Sequence, residues 1–179
     1  MNVNKLKTLS LTALFAAVIC VTSPLAIPIG AVPITLATFA VYLSGAVLGT
    51  KYGVTAVAVY LAVGAAGAPV FASFSGGVAC FAGVTGGFLV GYLPCAFFSG
   101  LLPSIMKYKK CSYFIGALIG TVACYAVGTA WFVFETKTGA AAAFAACVLP
   151  FLPGDALKIT ASSLLAPVLK KHLPQSKQR

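Results

Sequence analysis

An all-α integral membrane protein, a compact bundle of six transmembrane helices, is the fold class that this sequence predicts. Three features predict it: composition, length and the placement of basic residues. Of 179 residues, 60% are hydrophobic and only 8% are charged, and the mean hydropathy is +1.03. Soluble domains carry about 25% charged residues, so this chain could not cover a soluble surface with polar groups. Because one span needs about 20 apolar residues, six spans occupy nearly all of a single domain over 1–179.

The first predicted span, residues 8–27, follows Lys5 and Lys7 and has the charge and apolar run of a signal peptide. Further apolar runs follow almost at once, so we interpret it as a retained first helix. Three prolines then break helical structure before the second predicted span, residues 34–48, which is short for a span.

Turns of glycine and polar residues separate the later spans. Residues 49–53 predict a turn before the third span, 54–71. The apolar stretch 78–84 is too short to cross a membrane, so it predicts a re-entrant segment or part of a long loop. The last three predicted spans are 86–105, 112–134 and 140–169, the last of them interrupted by Pro150, Pro153 and Gly154.

The basic residues fall on one side of this threading. The chain has 12 Lys plus Arg against two acids, Glu135 and Asp155, and a net charge of +10. We exclude nucleic acid as a partner, because the basic residues lie at the ends of apolar runs and no soluble domain presents a basic face. The positive-inside rule instead predicts both termini in the cytoplasm, with the chain in the plasma membrane. Lys137 alone lies on the opposite side, and the cytoplasmic set is Lys5, Lys7, Lys51, Lys107, Lys109, Lys110, Lys170, Lys171, Lys177 and Arg179.

The last predicted span carries an acid and a base at membrane depth, Asp155 and Lys158. A spacing of three residues places both on one helix face. Ionisable residues within a span are costly, so they indicate a functional site. Pro153 and Gly154 precede the pair at a point where a helix restarts and offers free N–H groups. An ion pair that only fixes helix packing is the alternative.

Two outward loops, residues 23–33 and 73–85, are rich in proline, glycine, serine and threonine and almost free of charge. Elaborated loops on one side predict that the working surface is external. Glycine and proline at membrane depth are tolerated where the backbone is buried in protein or lines a cavity.

The residue inventory excludes most enzymes. The six cysteines show no CxxC spacing and are interpreted as small hydrophobic residues rather than metal ligands. No nucleotide-binding loop, Ser-His-Asp set or HExxH motif occurs. We therefore expect no catalytic residue, no bound metal and no cofactor in this chain.

The first span carries two small residues four apart, Ala13 and Ala17. Small residues at this spacing allow two helices to approach closely. Packing inside the bundle and docking of a partner helix are both open interpretations.

In order and spacing, five stretches together resemble the BioY family, the biotin-specific substrate-binding (S) components of energy-coupling factor (ECF) transporters. The resemblance covers nearly the whole chain. Val84 departs from the proline that the family usually has in a GPTGG-like stretch. The stretches are IGAVPITLATFAV (29–41), GAPVF (67–71), FSGG (74–77), GVTGGFLVGY (83–92) and LPGDALK (152–158).

The resemblance implies a protein that captures biotin from outside and delivers it inward. Its implied partners are an ECF transmembrane coupling protein and ATPase subunits, which would use the ATP. Asp155 and Lys158 match PGDxxK-type positions that are implied in holding the polar ends of biotin. Ala13 and Ala17 match the small-residue pattern of docking on the coupling protein. The residues implied to line or cover the site are Thr35, Gly76, Gly77, Thr85, Gly86 and Gly87.

Biotin has a flat ureido ring, a thioether ring and an aliphatic tail that ends in a carboxylate. An apolar pocket with a few placed polar groups suits such a ligand. Asp155 could accept from a ureido N–H while Lys158 meets an oxygen, although the residues do not decide which end each one meets. Candidates for the apolar walls are the aromatic residues Phe39, Phe71, Phe74 and Tyr92.

Three other functions compete with biotin binding. The same fold could serve another vitamin, such as thiamine or riboflavin. The chain could be a ligand-free assembly subunit of a membrane complex, in which the buried pair would affect stability alone. An intramembrane enzyme is disfavoured because the chain has a single histidine and two acids.

Overall fold

The computed structural model describes residues 3–27 and 32–173, and this part of the chain is almost entirely helical. That confirms the all-α prediction. Short strands β1 (Ala26–Ile27) and β2 (Ile34–Thr35) add an antiparallel ribbon in which Ala26 faces Thr35. One 3₁₀ turn covers Ala72–Phe74. The helices are α1 (Val3–Thr22), α2 (Ala37–Ala65), α3 (Ala79–Ala82), α4 (Gly86–Ile105), α5 (Lys110–Thr136), α6 (Ala140–Cys147) and α7 (Leu152–His172).

Four of the described helices, α1, α2, α4 and α5, are long and apolar enough to cross a membrane. Helices α6 and α7 make a fifth span if the pair, bent by 52°, counts as one. The predicted span 140–169 is thus two helices, because Pro150 lies in the break between them and disfavours helix in the residue before it. Helix α1 ends at Thr22, before the predicted end at residue 27, where Ser23 and Pro24 leave the helix.

Most of the second and third predicted spans, residues 37–48 and 54–65, falls in α2, which reverses direction inside its length, while residues 34–36 and 66–71 of those predictions lie outside the helix. Gly49 has φ 79° and ψ 175°, a conformation that glycine alone adopts at little cost. A Cβ on Gly53 would lie 2.6 Å from the Cα of Gly45. In a continuous helix these residues would be about 12 Å apart. The segments 37–48 and 50–65 therefore fold back on each other. Of the turn predicted at 49–53, only the first residue, Gly49, leaves the helical conformation.

Helices α4 and α5 are packed closely, with glycines at the points of contact. A Cβ on Gly120 would lie 2.7 Å from the Cys95 carbonyl oxygen, and one on Gly91 would lie 3.1 Å from the Cys124 carbonyl oxygen. The ring of Phe88 fills the space beside Gly128. Small residues permit this approach where lipid offers no hydrophobic drive for association. The apolar stretch 78–84 is part of the loop before α4 and contains the one-turn helix α3.

Basic residues of the described segments gather at one end of the bundle. The Lys170 ammonium lies 3.4 Å from the centre of the Tyr108 ring, which joins the end of α7 to the α4–α5 turn. A Cβ on Gly100 would touch Thr50, so the turn at Gly49 lies beside the last part of α4. Lys137 ends α5 at the opposite end. The predicted charge split thus has a geometric counterpart, while Lys177 and Arg179 lie outside the described residues.

Substitution of Gly120 by alanine tests the close approach of α4 and α5. Alanine favours a helix interior by about 1 kcal/mol over glycine, but its methyl group would collide with the Cys95 carbonyl. Overpacking typically costs about 1–3 kcal/mol. We expect Gly120→Ala to lower the melting temperature of the detergent-solubilised protein, measured by thermal unfolding. Gly139→Ala, where nothing lies within 4 Å, is the control. An unchanged or higher melting temperature for Gly120→Ala would contradict the packing.

Candidate functional site

The two ionisable residues of the last span form a buried ion pair at the start of α7. The Lys158 Nζ lies 2.9 Å from the Asp155 Oδ1, as the spacing of three residues predicts. The Asp155 residue is 4% exposed and Lys158 is 9% exposed. The break after α6 places Asp155 in the first turn of α7, where its N–H donates to the Phe151 carbonyl at 2.8 Å.

Two further helices supply partners to this pair. The Tyr125 hydroxyl on α5 donates to the Asp155 Oδ2. The Lys158 ammonium donates to the Thr38 Oγ1 on α2 over 3.3 Å. Asp155, Lys158, Tyr125 and Thr38 are called the polar quartet below. Sequence reasoning missed Tyr125 and Thr38, whose one signal is a polar group inside an otherwise apolar run.

The polar quartet keeps unused hydrogen-bonding capacity. A carboxylate offers about four lone-pair directions and an ammonium offers three N–H groups. Among the described residues, one donor reaches each Asp155 oxygen, and two acceptors receive from Lys158. The spare acceptors and the spare donor suit a ligand with both N–H and C=O groups. One negative and one positive charge leave the quartet without net charge.

Tyr42 on α2, Cys95 on α4 and Cys124 on α5 interact electrostatically with the Asp155 carboxylate. The Tyr42 hydroxyl has its own partner, the Thr121 hydroxyl, at 2.7 Å. Helices α2, α4, α5 and α7 therefore each place a polar side chain in the interior of the bundle.

A cavity of about 940 Å³ lies between α5 and the α6–α7 pair, with mostly apolar walls. Tyr125 and Asp155 belong to its lining, together with Thr121 and Thr129. Small-molecule pockets in proteins are commonly about 300–1,000 Å³ with few polar groups. Asp155 and its partner Tyr125 thus border a space large enough for a small ligand.

An aromatic cluster lies at the end of the bundle that carries the segments 23–27 and 32–36 and the loop 66–85. The ring centre of Tyr60 is 5.4 Å from Phe71 and 6.5 Å from Tyr92, and Phe71 is 5.6 Å from Phe81. The Tyr60 and Ser23 hydroxyls hydrogen-bond at 2.6 Å, which ties the end of α1 to α2. The interior of this end therefore consists of aromatic rings, with the Tyr60 and Ser23 hydroxyls hydrogen-bonded to each other beside them.

The structure distributes the predicted wall residues over different places. Phe71 and Tyr92 are buried in the aromatic cluster, and the Thr35 hydroxyl accepts from the Ala37 N–H at 3.3 Å. Phe39 packs instead against a second core cluster around Phe15 and Tyr113, away from these rings. Phe74 is 67% exposed and has φ 59°. No contact joins Phe39 or Phe74 to the ion pair among the described hydrogen bonds and ring contacts, so their binding role stays a prediction.

The predicted glycines hold the loop before α4 tightly packed. A Cβ on Gly76 would lie 2.2 Å from the Ala68 carbonyl oxygen, and one on Gly86 would lie 1.9 Å from that of Phe81. Gly77 has φ 97° and Thr85 is the residue that precedes α4. Gly87 leaves the space that Trp131 occupies. These contacts explain the glycines by packing, and a direct contact between this loop and a ligand stays a prediction.

A hydrogen bond fixes the same loop to α5. The Trp131 Nε1 donates to the Gly83 carbonyl oxygen over 3.1 Å. The only tryptophan of the chain therefore reports on the position of the loop.

Ala13 and Ala17 are both exposed on α1. Within the segments 3–27 and 32–173, no group of three His, Cys, Asp or Glu side chains could hold a metal ion.

Comparison with known proteins assigns the family. The sequence model of the BioY family matches residues 1–175. This chain belongs to the BioY family. The part of the BioY-like stretch 29–41 that comprises residues 29–31 lies outside the described residues.

Two BioY relatives and one crystal structure illustrate the similarity. The probable biotin transporter BioY of Pyrococcus horikoshii is 37% identical over 162 residues, which cover 90% of this chain and 95% of the relative. The biotin transporter BioY of Thermotoga maritima is 39% identical over 161 residues, covering 88% and 92%. The 2.1 Å crystal structure of the S-component for biotin from an ECF-type ABC transporter superposes with a TM-score of 0.89 at 30% identity, over 96% of this chain and 95% of that chain.

Removing one charge of the buried pair should cost more stability than removing both. Asp155→Leu leaves the Lys158 ammonium without its anion, and breaking a buried pair typically costs about 3–5 kcal/mol. We expect the double variant Asp155→Leu/Lys158→Met to recover most of that loss. Thermal unfolding in detergent measures both, and Lys109→Met, at an exposed lysine, is the control. A double variant no more stable than the single variant would refute this expectation.

Proposed function

We propose that this chain is the membrane substrate-binding subunit for biotin uptake, which captures biotin on the outer side and delivers it inward. The observation that carries the proposal is the polar quartet, which has no net charge and is centred on a buried ion pair in a BioY-family bundle. The relatives are named biotin transporters and the superposed structure is a biotin S-component. The chain is a transport protein and not an enzyme.

The free hydrogen-bonding groups of the polar quartet suit the ureido ring of biotin. The ring has two N–H donors and one carbonyl acceptor. In our proposal the carboxylate of Asp155 accepts from a ureido N–H, and the spare N–H of Lys158 donates to a ligand oxygen. Apolar side chains then surround the thioether ring and the aliphatic tail. A neutral ligand head leaves the charge balance of Asp155 and Lys158 intact.

We infer a multi-pass arrangement of six crossings with both termini in the cytoplasm of the plasma membrane. The reversal at Gly49 supports it, since the segments 37–48 and 50–65 then run in opposite directions. The α6–α7 pair would be the sixth crossing. The basic end of the bundle would face the cytoplasm under the positive-inside rule. The whole chain would form one S-component domain.

Inward delivery requires energy. The sequence contains no nucleotide-binding loop through which this chain would use ATP itself. We propose an ECF transmembrane coupling protein and ATPase subunits as partners, with ATP used by the ATPases. The exposed face of α1 supports this choice, because Ala13 and Ala17 lie on it beside Leu14 and Val18. A surface of small residues lets a second helix approach closely.

Calorimetric titration of biotin into the purified protein tests the proposed function. We expect tight binding by the parent chain and a loss of at least about tenfold in affinity for Asp155→Asn and for Lys158→Ala, since each removes a charged hydrogen-bonding partner. Ser163→Ala, whose hydroxyl donates to the Thr160 carbonyl of its own helix, is the matched control on α7.

The outcomes separate the competing functions. Absence of biotin binding by folded parent protein would refute the proposal. Binding of thiamine or riboflavin in its place would assign another vitamin. Biotin binding that survives both substitutions would reduce the ion pair to a structural role.

Enlarging the small residues of α1 tests the proposed docking face. We expect Ala13→Trp and Ala17→Trp to reduce co-purification of the coupling protein and ATPases, because an indole prevents close helix approach. Biotin affinity should stay within about twofold, since neither residue contacts the polar quartet. Ala58→Trp, at an exposed alanine on α2, is the control. Equal co-purification of all variants would place the docking surface elsewhere.

A further inference from the structure

The second oxygen of the Asp155 carboxylate is served by a tyrosine from a different helix. Lys158 donates to Oδ1 and the Tyr125 hydroxyl donates to Oδ2. With Asp155 only 4% exposed, water has little access to replace either donor. Tyr125 therefore satisfies an oxygen that would otherwise be anionic, buried and without a partner. Leaving such an oxygen unsatisfied is expensive.

Tyr125 lies beside this oxygen at the edge of the cavity. Both Tyr125 and Asp155 belong to the cavity lining. Because the Tyr125 hydroxyl takes one acceptor position of Oδ2, a molecule in the cavity reaches only the lone pairs that Tyr125 and Lys158 leave free. Tyr125 thus limits which donors from the cavity reach the carboxylate.

The groups that interact with Asp155 include one positive charge, which balances the negative charge of its carboxylate. Helix α2 contributes Tyr42, α4 contributes Cys95, and α5 contributes Cys124 and Tyr125. Helix α7 contributes Lys158, which is the single cation among these groups. With the carboxylate charge already balanced by Lys158, an additional cation would enter a low-dielectric site without a second anion to balance it.

We propose that Tyr125 is a positioning residue that makes the site select a neutral ligand head over a cationic one. The inference rests on the proposed function, since it concerns how biotin is chosen at the same site. Tyr125 holds the carboxylate in one orientation and keeps Oδ2 occupied. The remaining lone pairs then accept the N–H groups of a neutral urea.

Loss of the Tyr125 hydroxyl should change preference as well as affinity. In Tyr125→Phe the ring remains but Oδ2 has no donor. A neutral urea then binds a carboxylate that is less well oriented, and its affinity falls. A protonated guanidine head supplies both a donor and a positive charge to the vacant oxygen, so it loses less or gains.

Paired titrations with biotin and 2-iminobiotin at pH 7.5 test the proposal. The second ligand differs in its head, a guanidine that is protonated at this pH. The ratio of the two dissociation constants is the readout, because a structural defect alone would weaken both ligands together. We expect a strong preference for biotin in the parent chain and a ratio reduced about tenfold or more in Tyr125→Phe.

Tyr113→Phe is the matched control. It removes a tyrosine hydroxyl from the same helix α5 at a residue that packs in the second core cluster, so the ratio should stay within about twofold of the parent value. Tyr125→Gln, which restores an N–H donor, should recover part of the preference. Tyr125→Met removes the same donor as phenylalanine and carries the same expectation if Tyr125→Phe does not fold.

The outcomes distinguish this inference from the proposed function. A parent chain that binds no biotin refutes the proposed function before Tyr125 is tested. A parent chain that binds biotin, with a ratio unchanged in Tyr125→Phe or Tyr125→Met, overturns the role of Tyr125. Failure of both variants to fold would also overturn it, since the hydroxyl would then serve folding rather than selection.

Discussion

The buried contact between the Lys158 ammonium and the Asp155 carboxylate is the interaction on which the rest of the structure depends. Two charges withdrawn from water into an apolar bundle are tolerated only when further hydrogen bonds satisfy their remaining atoms. That requirement draws in Tyr125 from α5 and Thr38 from α2. Three helices are thereby fixed relative to one another at the depth of the pair. The same hydrogen bonds that hold these helices together form the polar quartet, which has no net charge and retains free hydrogen-bonding positions.

The second constraint is that helices must approach one another closely, because the solvent around them is lipid. Lipid tails are as apolar as the helix surfaces, so association depends on packing and hydrogen bonds. Gly120 and Gly91 bring α4 and α5 together, and Gly49 lets α2 fold back on itself. The break between α6 and α7 then starts a new helix at the level of the ion pair. Irregular backbone at membrane depth is buried within the bundle or borders the cavity.

The two ends of the bundle differ in a way that suits transport. One end carries the aromatic cluster and the loop that the Trp131 indole ties to α5. The other end carries the basic turns, with Lys170 over the Tyr108 ring. In our proposal, a polar centre of zero net charge between them holds a ligand without adding net charge to the membrane interior. In our proposal, partner subunits that dock on α1 supply the energy to move the ligand past this point.

Composition and periodic apolar runs by themselves determined the membrane class, the helical fold, the one-sided charge and the same-face pairing of Asp155 and Lys158. These properties depend on local sequence or on the preference of the chain for lipid, and both can be deduced from a single sequence. Tertiary structure alone decided that α2 reverses at Gly49, that Phe39 packs away from Tyr92, and that Tyr125 and Thr38 complete the ion pair. Thr38 and Lys158 are 120 residues apart, so no spacing rule connects them. Their contact exists because buried charges require partners from whichever helices packing brings near.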